Sequence, residues 1–181
     1  QRRVHGDNSS FIIQTVPAIT TMEGIYTYEG EAISKVSAQR LFNAMILRRQ
    51  ETMQKVKPDV FKSSDLVEGD GGVGSIRKVT FVDGHPMKYF MLRIDELDAA
   101  NFYCKYTIFE GGVLRDTIEK IEYIVKYEAV GEECKAKVTV NYHPKPGCAV
   151  NVEGAKIAEE KAKELFKLVE DYLLANPNEC V

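Results

Sequence analysis

The stretch Glu68-Gly-Asp-Gly-Gly-Val-Gly-Ser75 has the spacing of a phosphate loop. Gly69 and Gly74 bracket four residues, as in G-x-x-x-x-G-K-[ST]. The chemistry of that motif needs the lysine, which neutralises the terminal phosphates. Here Ser75 holds the lysine position, and Ile76-Arg-Lys-Val-Thr-Phe81 follows as a strand pattern. No helix N-terminus is therefore expected to add its dipole. The reading is a tight strand-to-strand loop in which Gly69, Gly71, Gly72 and Gly74 permit positive φ around Asp70. Its amides could form a nest for a small anion.

The other reactive residue types are scattered. Cys104, Cys134, Cys148 and Cys180 form no C-x-x-C pair, and His5, His85 and His143 lie far apart. No zinc spacing and no haem, flavin or copper constellation is present, so neither metal nor cofactor is expected. The thiols are read as reduced, in a cytoplasmic protein. The 181 residues carry a net charge of -3 with a pI near 5.7, which argues against nucleic acid as primary partner. No apolar run reaches about 18 residues, so no membrane span is expected.

These residues need a scaffold. Residues 1–21 have no clear period and precede Met22. They read as an extension, a leader remnant or non-native sequence, mostly disordered. Residues 22–181 read as one domain. Ile25–Ile33 alternates as a strand. Ser37 is a candidate N-cap for the helical segment Ser37–Leu47, and a second short helix stops before Pro58. Six more strand patterns follow, joined by turn residues; the last two are separated by Gly131-Glu-Glu. Ala155–Asn176 is a long amphipathic helix with the stripe Ala158, Ala162, Leu165, Phe166, Val169, Tyr172 and Leu173. The class is α+β: a seven-stranded antiparallel curved sheet wrapped around a long C-terminal helix, with two short helices bracing it.

Alternation assigns the concave face. The expected set is Met87, Tyr89, Met91 and Arg93; then Cys104, Tyr106 and Ile108; then Ile121, Tyr123 and Val125; then Ala136, Val138, Val140 and Tyr142. Phe166 and Val169 face them from the helix, and Met45, Ile46 and Met53 guard the entrance. Tyrosine and methionine suit a planar, partly hydroxylated ligand, but the same set could fill a solid core.

The segments VEGDGGVGSIRKVTF, DELDAANFYCKYTIFEGG and YLLANP resemble the plant pathogenesis-related class-10 family, typified by the major birch pollen allergen. The resemblance spans Met22 to Pro177. It implies a large internal cavity, a monomeric cytosolic protein and binding of phenolics, flavonoids, cytokinins or abscisic-acid-like ligands, in a defence-associated role. The segments FVDGHP, AANFYCKYT and YHPKPGC resemble a branch linked to phenolic coupling, so an enzyme of specialised metabolism is the alternative. In norcoclaurine synthases of this family a buried lysine and an aspartate act; their positions fall here on Cys104 and Tyr123. That puts such catalysis in doubt. A ribonuclease activity proposed for the family would use Glu119, Glu170 and Tyr172.

Overall fold

The computed structural model describes residues 14–21 and 23–181, with side chains from residue 20 onward. The element order is β1 (Gln14–Thr20), β2 (Tyr26–Ser34), α1 (Ala38–Phe42), a π-helical turn (Asn43–Leu47), α2 (Arg49–Val56), β3 (Phe61–Glu68), β4 (Ile76–Phe81), β5 (Tyr89–Asp98), β6 (Tyr103–Gly111), β7 (Ile118–Val130), β8 (Glu133–Pro144) and α3 (Val152–Ala175). The strands form one antiparallel sheet in the order β1-β2-β8-β7-β6-β5-β4-β3. β2 thus returns beside the last strand, and the seven strands β2–β8 are the sheet expected from the sequence. The eighth, β1, comes from the segment read as an extension. Residues 1–13 lie outside the described residues.

Local chemistry explains the boundaries. The Ser37 hydroxyl accepts from the Arg40 amide at 3.3 Å and caps α1, as expected. Asn151 caps α3 in the same way, accepting from Gly154 at 3.1 Å. In β2 the Tyr28 ring takes the space of a side chain at Gly30, where a Cβ would meet the Tyr28 hydroxyl at 2.6 Å.

The helix α3 is buried at both ends, at Ala155 in its first turn and more extensively in its second half. Val169 and Leu173 are wholly buried, whereas Ala158 and Ala162 of the predicted stripe are exposed. The α3 backbone approaches α2 closely but stands back from the sheet. The docking is polar as well as apolar. Half-buried Arg40 of α1 donates to the carbonyls of Leu173 (3.0 Å), Asn176 (2.9 Å) and Glu179 (3.0 Å), which end the helix and its tail. A guanidinium at a helix C-terminus satisfies orphan carbonyls and opposes the dipole's negative end. Asn43 adds a bond to the Cys180 carbonyl at 3.2 Å. The Arg40→Met variant keeps the apolar stem and removes all three bonds. It is expected to lose about 2–4 kcal/mol in urea denaturation. A loss under about 0.5 kcal/mol would mean that water replaces the clamp at no cost.

Candidate functional site

The concave face of the sheet, roofed by α3, gathers most of the expected lining. Tyr106 and Tyr123 are direct partners across β6 and β7, and their rings stack at 4.9 Å with an interplanar angle of 6°. Cys104, Ile108, Ile121 and Val125 flank them and are buried. On β8, Val138 is half-buried, while Val140 and Tyr142 are buried. Tyr106, Tyr123, Ala136 and Val138 all retain partial exposure although they sit under α3, and so do Leu165 and Phe166 on the helix. Side chains pressed together as a solid core would not keep that exposure on both facing surfaces. The space between helix and sheet is a hollow.

The hollow is open. At its rim, α2, β3 and β4 outline a shallow cleft of about 20 Å³, room for about one water, lined by Arg49, Met53, Phe61, Ser63, Ser64 and Val79. A second crevice, between α2 and the C-terminal tail at Arg48, Lys55, Tyr172 and Glu179, holds no such space. Neither approaches the ligand-sized range of roughly 300–1,000 Å³, so the large internal cavity that the resemblance implies is not an enclosed volume among the described residues. Of the expected entrance residues, Met53 is buried at the first cleft, and Met45 and Ile46 are half-buried against the core.

One strand is turned over relative to the sequence reading. On β5 the concave residues are Phe90, Leu92 and Ile94, paired with Val79, Ile108 and Tyr106. Tyr89, Met91 and Arg93 therefore face the convex side. There Lys78 lies 4.6 Å from the Tyr89 ring centroid, and Arg93 pairs with Asp95 at 2.8 Å. Met87 precedes the strand and is partly buried against the core. Counting the alternation from Met87 misleads, because Met87 and Lys88 both lie before the strand. Lys88, with φ of 55°, falls outside the alternation. The signal for the true face was the unbroken apolar set Phe90, Leu92 and Ile94.

The glycine loop is self-satisfied. The Gly71 amide donates to Ser75 Oγ at 2.8 Å and the Gly72 amide to Asp70 Oδ1 at 2.9 Å. The Gly74 amide donates to the Ile94 carbonyl at 2.7 Å. The donors an anion would need are taken, and the Asp70 carboxylate stands where its charge would sit. The loop instead ties β3 and β4 to β5. Gly69, at φ of 85°, lies so close to Ser75 that a Cβ would come within 2.8 Å of its Cα.

Burial sets the protonation states in the hollow. It pushes the Cys104 thiol up to about 12, so this group is no nucleophile at neutral pH. It also pushes the Tyr106, Tyr123, Tyr127 and Tyr142 phenols up, and they remain hydrogen-bond donors. At the β2 side, α3 contributes Glu159 and Lys163. The Tyr26 hydroxyl donates to Glu159 Oε1 at 3.3 Å, and Lys163 Nζ lies 6.0 Å from the Tyr28 ring centroid. Burial raises the Glu159 carboxyl above its ordinary value of 4.5, and the bond from Tyr26 opposes the rise. The three residues proposed for ribonuclease action are engaged separately. Glu170 is buried and bonded to Lys167 at 2.9 Å, Tyr172 lies under Lys55, and Glu119 is exposed on β7. Among the described residues, no three His, Cys, Asp or Glu side chains converge as metal ligands. No described helix is long and apolar enough to cross a membrane.

The sequence profile of the pathogenesis-related protein Bet v 1 family matches residues 23–176. The chain belongs to this family. Among curated Bet v 1 relatives, the major strawberry allergen Fra a 1.04 of Fragaria ananassa is 45% identical over 157 residues, covering 86% of this chain and 98% of its own. The crystal structure of Ara h 8.0201 superposes with a TM-score of 0.75 at 33% identity, covering 84% of this chain and all of its own. Norcoclaurine synthase from Thalictrum flavum, solved with dopamine and hydroxybenzaldehyde, matches with a TM-score of 0.62 at 20% identity, covering 97% and 95%. That likeness is one of fold. The Bet v 1 architecture, a seven-stranded sheet with two short helices and a long C-terminal one, is thus built here with an added edge strand.

Raising a carboxyl in the fold favours its protonated form. The contribution of Glu159 to stability is therefore fully present below its ordinary value and is lost as pH rises through the higher native one. The Glu159→Gln variant should gain in melting temperature relative to the parent between about pH 4 and 7. A difference that stays flat over that range would put Glu159 in free solvent.

Proposed function

We propose that this protein binds planar, partly hydroxylated plant metabolites in the open hollow between α3 and the concave face of the sheet. Phenolics, flavonoids and hormones of cytokinin or abscisic-acid type fit that description. It then acts as a monomeric, cytoplasmic, defence-associated carrier or reservoir. The observation that carries this reading is the stacked Tyr106–Tyr123 pair, which is largely buried but keeps partial exposure beneath the helix. Two coplanar rings offer a flat apolar shelf, and their hydroxyls, kept protonated by burial, can donate to ligand oxygens. The exposed Ala158 and Ala162 leave the helix edge thin where a ligand would enter.

A second reading, an enzyme of plant specialised metabolism, draws on Glu159. Its raised carboxyl beside the Tyr26 hydroxyl is a candidate acid/base pair at the end of the hollow. Against it, Cys104 and Tyr123 stand where a lysine and an aspartate would act. Incubation with candidate phenols and carbonyl compounds, followed by mass spectrometry, separates the two readings: new products that vanish in Glu159→Gln support catalysis.

A fluorescent naphthalene sulfonate probe should gain intensity on binding, and flavonoids, cytokinins or hypericin-type phenols should displace it at micromolar concentration. Tyr123→Ala is expected to weaken displacement about 3- to 10-fold, the worth of one aromatic stack. Absence of any probe uptake by the folded protein defeats the binding proposal.

A further inference from the structure

Two arginines stand side by side at the start of α2, and they differ in what they meet. Arg48 turns to the surface and pairs with Glu51 at 2.6 Å. Arg49 is half-buried and lines the cleft formed with Met53, Phe61, Ser63, Ser64 and Val79. Among the described residues no carboxylate lies within ion-pair distance of it. Its one hydrogen bond is long, from Nη1 to the Met45 carbonyl of its own helical segment at 3.4 Å. Its charge is nevertheless felt deep in the hollow, where it partly offsets the burial-driven rise of Cys104, Tyr106, Tyr123 and Tyr127. These four groups come from two strands, and all of them face the concave side. Arg49 is thus a half-buried cation on the rim cleft with no acidic partner among the described residues, and its charge reaches the side of the sheet that carries the stacked tyrosines.

A guanidinium carries five donors in a planar fork, and it stays charged at any pH the protein meets. A cation held against apolar walls without a counter-charge is costly, and an anion that seats there relieves the cost. The opposite end of the hollow has the reverse character, with the Glu159 carboxyl beside Tyr26. Lys163 of the same helix also stands there, but it pairs with Glu160 at 2.9 Å, which leaves Arg49 as a cation of the concave side without an acidic partner among the described residues.

We infer that Arg49 anchors the anionic end of the ligand, so that the hollow selects planar aromatic acids, carboxylates above all, whose rings lie toward Tyr106 and Tyr123. This rests on the binding role proposed above and narrows its substrate class. Bidentate pairing of the fork with a carboxylate supplies both the affinity and the orientation.

The test uses two probes of one shape, 2-naphthoate and 2-naphthamide, titrated by calorimetry at neutral pH into the full chain. The expected result is a preference of about 10-fold or more for the acid, the size of one charge-assisted contact. In Arg49→Gln the acid-to-amide ratio should fall to about 1–2, and in Arg49→Lys it should remain between these limits, since a point charge lacks the fork. Both variants are checked for an unchanged circular dichroism spectrum, and the lysine variant decides if the glutamine variant fails to fold. A preference that persists in Arg49→Gln, or the lack of any preference in the parent, overturns the inference while leaving the binding role intact. Failure of both probes to bind the parent overturns the binding role and the inference together.

Discussion

The clamp at the end of α3 is the constraint on which the rest depends. A helix 24 residues long is held at its last turns by Arg40, by buried Val169 and Leu173, and by the tail that runs on to Cys180. Its first half is fixed more lightly, by buried Ala155 and by the bond from the Tyr26 hydroxyl to Glu159 at 3.3 Å. Had the helix been docked along its whole length, Ala158 and Ala162 would lie against the strands and the tyrosine pair would be sealed. The hollow thus follows from where the helix is anchored, and the anchor is a side chain from the helical brace. The two short helices therefore set the height of the roof as well as supporting the sheet.

The sheet separates two kinds of chemistry on its two faces. On the convex side, polar groups compensate one another near water: Glu122 meets Lys120 at 3.1 Å and His143 at 2.9 Å, and the Thr107 hydroxyl donates to Asp95. On the concave side, phenols and thiols are kept neutral by burial, and charge enters at the ends, from Arg49 at one and from Glu159 with Lys163 at the other.

Much of the fold was legible because its signals were long. The thirteen-residue β7 and twelve-residue β8 are long, and on β8 Lys135, Lys137 and Thr139 mark the face opposite Ala136, Val138 and Val140; β7 departs from strict alternation only at a register shift between Ile118 and Lys120. The Ser37 cap and the closing helix were equally plain. β5 failed because alternation counted from Met87 starts outside the strand, with both faces rich in apolar residues, and because register shifts at Met91/Leu92 and Ile94/Glu96 break its period. β1 was missed because a seven-residue segment containing Pro17 has little intrinsic strand signal; its pairing with β2 is a tertiary effect. Arg49 was passed over for a different reason. Beside Arg48 it reads as surface charge, and the sequence does not tell which of two neighbouring arginines turns inward.

The added strand has a further consequence, for association between copies. Without β1, the nine residues of β2 would be a bare rim of unpaired amides and carbonyls, open to a strand from another chain. β1 covers that rim, and its own outer rim is interrupted at Pro17, where an amide hydrogen is missing and the register shifts. At the far end of the sheet, β3 carries two register breaks and the charges of Lys62, Asp65 and Glu68. Among the described residues, neither border offers a long, regular template for pairing with a strand of another copy.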